Sequence, residues 1–130
     1  MIFGLGTDII EVDRIRKTME ADPDFRHQIF SPAEISYCES KAYPCRHYAA
    51  RFCAKEAFLK ALGTGFNAGI SLTEIEVLQE PSCRPFIKLT GSAKDFFEKF
   101  GFSKILVSLS HLKDIAVAVV IIEKEELRIG

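Results

Sequence analysis

The chain carries little net charge, no paired-cysteine signature, no leader-like start and no long apolar run, and each absence closes off a class of function. Seventeen Lys and Arg stand against eighteen Asp and Glu, for a formal charge of -1. There is therefore no global basic field of the kind that non-specific nucleic-acid binding needs, and an anion site has to be a local cluster. Cys38, Cys45, Cys53 and Cys83 show neither CxxC nor Cys/His metal spacing. They read as reduced thiols, and a structural zinc is not expected. The start, Met1-Ile2-Phe3-Gly4, lacks the basic region, apolar core and cleavage site of a secretory signal. The longest apolar run, Ile115 to Ile122, is far too short to span a bilayer as a helix. A cytoplasmic protein is expected, bound to neither nucleic acid nor membrane. Repeats, low-complexity segments and linkers are absent too.

What is present is a chain of 130 residues, 48% hydrophobic, which suits one domain with a real core. Residues 1 to 10 read as a short buried strand whose glycines let other backbone come close. Glu11 to Met19 is an amphipathic helix, with Val12, Ile15 and Met19 on one face and Arg14, Arg16 and Lys17 elsewhere. Ser31-Pro32-Ala33-Glu34 starts a helix to about Glu39, with Ser31 as N-cap and Glu34 completing a capping box. After a connector from Ser40 to Arg46, where Pro44 favours a helix start, a long helix runs to about Leu62. Phe66 to Ser71 is a loop with Asn67 and Gly69 as turn formers.

In the second half the period changes. Glu74–Gln79 and Pro85–Thr90 alternate like a hairpin with a longer loop, and Ser92–Phe100 returns to helical spacing until Gly101 stops it. Lys104–His111 and Asp114–Glu123 read as two strands joined by a tight turn, followed by a charged tail from Lys124 that frays. The expected architecture is α+β: one domain, helices mostly first, an antiparallel sheet mostly second, with the first strand joining that sheet.

The stretch RFCAKEAFLKALGTG, residues 51 to 65, concentrates the chemistry. At helical spacing Phe52, Ala57, Phe58, Ala61 and Leu62 face one way, while Arg51, Lys55, Glu56 and Lys60 cluster toward another side. Glu56 and Lys60 are four apart, one above the other. Gly63-Thr64-Gly65 closes the run with glycines able to take the left-handed backbone a helix end favours. One carboxylate among three cations beside a Gly-x-Gly turn suits a phosphate-plus-metal ligand. A solvated charged face with an ordinary glycine cap explains the same residues. Asp8, a lone carboxylate before Ile9 and Ile10, is either paired with a cation or a turn or N-cap aspartate.

Three segments taken together, GTDIIEVDRI at 6 to 15, RFCAKEAFLKALGTG at 51 to 65 and SLSHLKDIAVAVV at 108 to 120, resemble the holo-[acyl-carrier-protein] synthases. These are the small single-domain branch of the 4'-phosphopantetheinyl transferases. The resemblance spans nearly the whole chain, in order. It implies transfer of the 4'-phosphopantetheine arm of coenzyme A to a serine of acyl carrier protein, in fatty acid biosynthesis. The reaction uses Mg²⁺ and releases adenosine 3',5'-bisphosphate. It assigns Asp8 and Glu56 to the metal, with Lys60 neutralising the pyrophosphate and Gly63 and Gly65 opening backbone N–H groups to ligand oxygens. The residue types suit that chemistry: phosphoryl transfer is mostly positioning and charge neutralisation, and Mg²⁺ takes one or two carboxylates.

The resemblance also implies coenzyme contacts from Arg51, to the nucleotide's 3'-phosphate, and from His111. A helix-surface salt bridge for Arg51 and a turn role for His111 stand beside them. Lys55 is adjacent to Glu56 without a stated facing, Glu11 is either near the metal or complements the helix start, and Cys53 reads as core. His27 and His47 are given no role. The acidic carrier protein would meet Arg14, Arg16, Lys17 and Arg26, although Glu20, Asp22 and Asp24 interrupt that basic surface. A homotrimer with active sites between subunits is implied as well. The apolar last strand, IAVAVVII, would suit burial on both faces, and a monomer core explains it equally. A non-catalytic coenzyme-binding module would keep Arg51 and Lys60 without needing Asp8 and Glu56, and a purely structural domain would need none of them.

Overall fold

A computed structural model describes residues 1–63 and 69–125. A ten-residue strand, β1 (Ile2–Glu11), runs without a break into helix α1 (Val12–Ala21). Two short helices follow, α2 (Phe25–Ile29) and α3 (Pro32–Glu39), and then the long helix α4 (Pro44–Leu62). A single 3-10 turn at Leu72–Glu74 leads into β2 (Ile75–Gln79), β3 (Pro85–Leu89), α5 (Gly91–Lys99), β4 (Phe102–His111) and β5 (Ile115–Lys124). Pro44 at the first position starts α4 two residues earlier than the expected connector ends. The periodic signal does not single out α2, whose five residues are too few to show a period.

The α+β expectation holds, with one change of topology. β5 is the middle strand of an antiparallel three-stranded sheet, order β1-β5-β4, so the first strand does join the last two. The β2–β3 hairpin forms a separate two-stranded sheet instead of extending the first. Lys124 is a strand residue rather than fraying tail: its N–H donates to the Met1 carbonyl over 2.9 Å. The loop positions 66–68 and the tail from 126 lie outside the described residues.

Helix α4 lies across the inner face of β1 and β5, where Ala116, Ala118, Val120 and Ile122 are buried. Its approach is set by two glycines. A Cβ built on Gly4 would sit 1.9 Å from the Ala61 carbonyl oxygen, and one on Gly6 1.9 Å from that of Ala57. Only hydrogen side chains there let strand and helix backbones touch. This contact brings the strand residue Asp8 level with the middle of α4.

The charged face expected for α4 holds only at its C-terminal half, where Glu56 and Lys60 reach the surface. Arg51 and Lys55 are buried together with Tyr48, Ala54, Phe58 and Leu62, because the helix is packed on most of its circumference. Lys55 and Glu34 form a wholly enclosed pair, Nζ to Oε1 at 2.7 Å. Lys55 also donates to the carbonyls of Leu72 and Ile75, at 2.8 and 2.6 Å. Glu34 closes the expected capping box with Ser31 and accepts from the Val77 N–H. Thus one carboxylate–ammonium pair ties α3, α4 and the hairpin sheet, with every polar atom given a partner as burial requires. Burial pushes the Lys55 ammonium's pKa down, against the pull of Glu34.

The other face of the three-stranded sheet is bare in the single chain. Leu5 and Ile9 on β1 and Ile115, Val117 and Val119 on β5 stand exposed there, in the alternate positions to the buried set. Among the described residues the last strand is therefore covered on one face and not on both.

Candidate active site

Asp8 on β1 and Glu56 on α4 line one cleft of about 310 Å³, with Arg14, Thr18, Phe25 and Phe52 completing its walls. Lys60, one turn beyond Glu56, reaches to the strand instead of back along its own helix. Its Nζ donates to Asp8 Oδ1 and to the Thr7 carbonyl, each at 3.0 Å. Glu56 forms no ion pair among the described residues. Its pKa is raised, first by desolvation and then by the Asp8 charge, with Lys60 pulling weakly the other way. The two carboxylates repel across the shared cleft, and Lys60 pairs with Asp8 alone, so the cleft offers hard oxygen donors of the kind a divalent cation takes. Behind Asp8, the buried Cys53 thiol lies against the Ala116 carbonyl at 3.5 Å, its pKa pushed up to about 12 by burial and then by Asp8. It serves as core, as its spacing suggests. Among the described residues no group of three His, Cys, Asp or Glu converges.

A second constellation lies nearer the N-terminal end of α4, around Arg51 and His47. Arg51 is buried and makes no salt bridge among the described residues, which corrects the helix-surface alternative. Its Nε has no hydrogen-bond partner, and its guanidinium carbon lies 3.9 Å from the centre of the Tyr37 ring. Lys41 covers the same ring at 4.6 Å. His111, at the end of β4, stands edge-on to His47 of α4 with ring centres 4.9 Å apart. A buried cation without an anion is costly, so this corner is built to receive negative charge.

The expected basic surface on α1 is smaller than its composition. Asp13 pairs with both Arg16 and Lys17, the latter at 3.0 Å, and Arg26 pairs with Glu39 at 3.3 Å. Arg14 keeps its charge unpaired among the described residues and borders the Asp8–Glu56 cleft. Arg16 instead borders a separate hollow with Tyr43, Arg46 and Lys113. At the helix end, Gly63 has φ 91 and ψ 158, a positive φ but an extended rather than left-handed helical turn. Gly65 lies outside the described residues. Neither Tyr37 nor His47 is assigned from sequence, although His47 and Arg51 at i and i+4 are a helical-face signal.

A central helix packed against a sheet and shorter helices, with a two-carboxylate cleft beside its C-terminal half and, nearer its start, a buried arginine that has no ion pair among the described residues, defines a small α+β protein with an anion-handling site. The chain belongs to the 4'-phosphopantetheinyl transferase superfamily, whose profile matches residues 4–120. Among its relatives, a holo-[acyl-carrier-protein] synthase of Syntrophus aciditrophicus is 49% identical over 124 residues, 95% of this chain and 97% of that one. The crystal structure of the Neisseria meningitidis synthase superposes with a TM-score of 0.88 at 32% identity, covering 95% of this chain and all of that one. A Bacillus anthracis synthase in complex with CoA (3',5'-ADP) superposes at 0.78 and 31% identity, covering 96% and 99%.

Proposed function

We propose that this chain transfers the 4'-phosphopantetheine arm of coenzyme A to a serine hydroxyl of apo acyl carrier protein. The serine oxygen bonds to the phosphorus that carries pantetheine, the bridging P–O bond breaks, and adenosine 3',5'-bisphosphate leaves. The observation that carries this reading is the meeting of Asp8 and Glu56 at one cleft, with Lys60 bonded to Asp8, in a chain related over nearly all its length to holo-[acyl-carrier-protein] synthases.

Asp8 and Glu56 are the residues that would hold Mg²⁺, which when bound neutralises charge on pyrophosphate oxygens. Lys60, already oriented by Asp8 and the Thr7 carbonyl, brings an ammonium to the phosphate undergoing attack. Gly63 and Gly65, having no side chain, suit backbone N–H groups that approach ligand oxygens, and Arg51 with His111 receives the nucleotide's 3'-phosphate. Arg14, and more weakly the Asp13-paired Arg16, meets the acidic carrier protein, an encounter that salt should weaken. The bare apolar face of β1 and β5 supports a homotrimer in which neighbouring subunits complete each active site. Four free cysteines suit the reducing cytoplasm, where fatty acid biosynthesis would use the product.

The test is mass spectrometry of apo acyl carrier protein incubated with this protein, coenzyme A and Mg²⁺, with an EDTA control. A Mg²⁺-dependent gain of one phosphopantetheine arm, lost in Asp8→Ala and Glu56→Ala, is expected. No gain with coenzyme A still bound would make the chain a binding module instead.

A further inference from the structure

Between the two halves of the Arg51 corner stands a residue to which no role has been given. His47 lies on α4 one turn before Arg51, so both side chains leave the same face of the helix. Its ring is wedged between two others. The His111 ring centre is 4.9 Å away at an interplanar angle of 70°, and the Tyr37 ring centre is 5.8 Å away at 74°. Tyr37 in turn carries Arg51 and Lys41 against its ring. A continuous line of edge-to-face contacts therefore joins the end of β4 to the buried guanidinium, and His47 is its only link to His111 among the described residues.

We infer that His47 is the positioning residue for His111: its ring fixes the strand-end imidazole relative to Arg51, so that the two address one anionic group together. His111 is the last residue of β4, paired through its backbone with Ala116 of β5 and next to the exposed turn at Leu112 to Asp114, and its side chain makes no ion pair or hydrogen bond among the described residues. Without the wedge it would sample several rotamers, and each would have to be frozen out when an anion binds.

The wedge acts as a ring and not as a charge. Desolvation, then the charges of His111, Arg51, Lys41 and Arg46, hold the His47 pKa down to about 4. Its ring is neutral near pH 7, and the positive groups facing it come from β4, from α4 and from the connector after α3. A fifth neighbour, Tyr37 of α3, contributes its ring. A phenylalanine should therefore do the work of His47, while an alanine should not.

This inference rests on the assignment of Arg51 and His111 to the 3'-phosphate, and binding separates the two without any need for turnover. Calorimetry on the full chain compares adenosine 3',5'-bisphosphate with adenosine 5'-monophosphate, which lacks the 3'-phosphate. The unsubstituted protein should prefer the bisphosphate, and His111→Ala should erode that preference. His47→Ala should erode it by roughly fivefold or more, with the monophosphate affinity unchanged and little further loss on adding His111→Ala. His47→Phe should keep it within about twofold. Loss of affinity for both nucleotides alike in His47→Ala, or failure of His47→Phe to rescue, would make His47 merely structural and overturn the inference. A full effect of His111→Ala with none of His47→Ala would overturn it while leaving the phosphate assignment in place. No effect of His111→Ala would overturn that assignment and the inference with it.

Discussion

Lys60 holds Asp8, 52 residues away on the neighbouring strand, at 3.0 Å, and leaves Glu56 on its own helix without an ion pair. The i, i+4 spacing of Glu56 and Lys60 invites a helical pair, but the Thr7 carbonyl adds a second acceptor beside Asp8 and the ammonium turns that way. Glu56 is left as the unneutralised member of the site. This division decides what each residue contributes to stability and what it contributes to activity.

Lys60→Ala should barely change stability and should severely reduce transfer. The side chain is 56% exposed, and an exposed ion pair is worth about 0.5 kcal/mol. In the proposed reaction Lys60 is the positive group at the phosphate, and losing such a preorganised group costs on the order of a hundredfold in kcat. Urea unfolding and steady-state kinetics on one preparation check both halves.

Glu56→Gln should make the metal-free protein slightly more stable while abolishing metal-dependent transfer. The substitution removes the repulsion with Asp8 and the desolvated charge that raise the Glu56 pKa. An upward shift of about 2 °C in the unfolding midpoint, measured in EDTA, is the scale of a few tenths of a kcal/mol in a domain this size. A lower midpoint would show that Glu56 is held by partners in the fold and not kept for a cation.

Gly6→Ala should damage both fold and site. The new Cβ would meet backbone, the Ala57 carbonyl at 1.9 Å, so β1 and α4 must separate. Overpacking of this kind costs roughly 1–3 kcal/mol. Because Asp8 and Glu56 sit on the two separating elements, activity should fall further than the loss of folded protein explains, which chemical denaturation and kinetics together resolve.

The enclosed Lys55–Glu34 pair should behave as a unit. Removing one partner by Lys55→Met or Glu34→Gln strands a buried charge, at about 3–5 kcal/mol. The double variant should lose clearly less than the sum of the two. Equilibrium unfolding of all four forms provides the cycle.

Acid should weaken the fold through His47. Folded, it takes up its proton only at about pH 4; unfolded, near the ordinary 6.5. Between those values the unfolded chain binds more protons, so stability falls as pH drops from 6.5 toward 4. His47→Phe should flatten that part of the curve in urea titrations run across the range. An unchanged slope would assign the acid sensitivity elsewhere.

Element types were legible along most of the chain, because alternation and the 3.6-residue period each leave a local mark. The capping box at Ser31 and Glu34 was legible, and so was the demand of the early glycines for close backbone. The burial of Arg51 and Lys55 was not. Both sit in a polar-looking stripe of α4, and only the elements that wrap the helix show that Tyr37 and Glu34 meet that stripe. The separation of the hairpin from the main sheet was equally hidden, since the same alternating pattern serves either arrangement.

By itself, then, the sequence determined the elements, the candidate carboxylates and, through its motifs, the family, since each depends on residues near one another in the chain or on the spacing of short motifs along it. Tertiary structure decided which charges are paired. It sent Lys60 to Asp8, enclosed Lys55 with Glu34, tied Arg16 and Lys17 to Asp13, and left Arg51 against an aromatic ring with no anion among the described residues. The physical reason is that an ion's partner and its desolvation depend on three-dimensional distance and enclosure, which spacing along the chain does not encode.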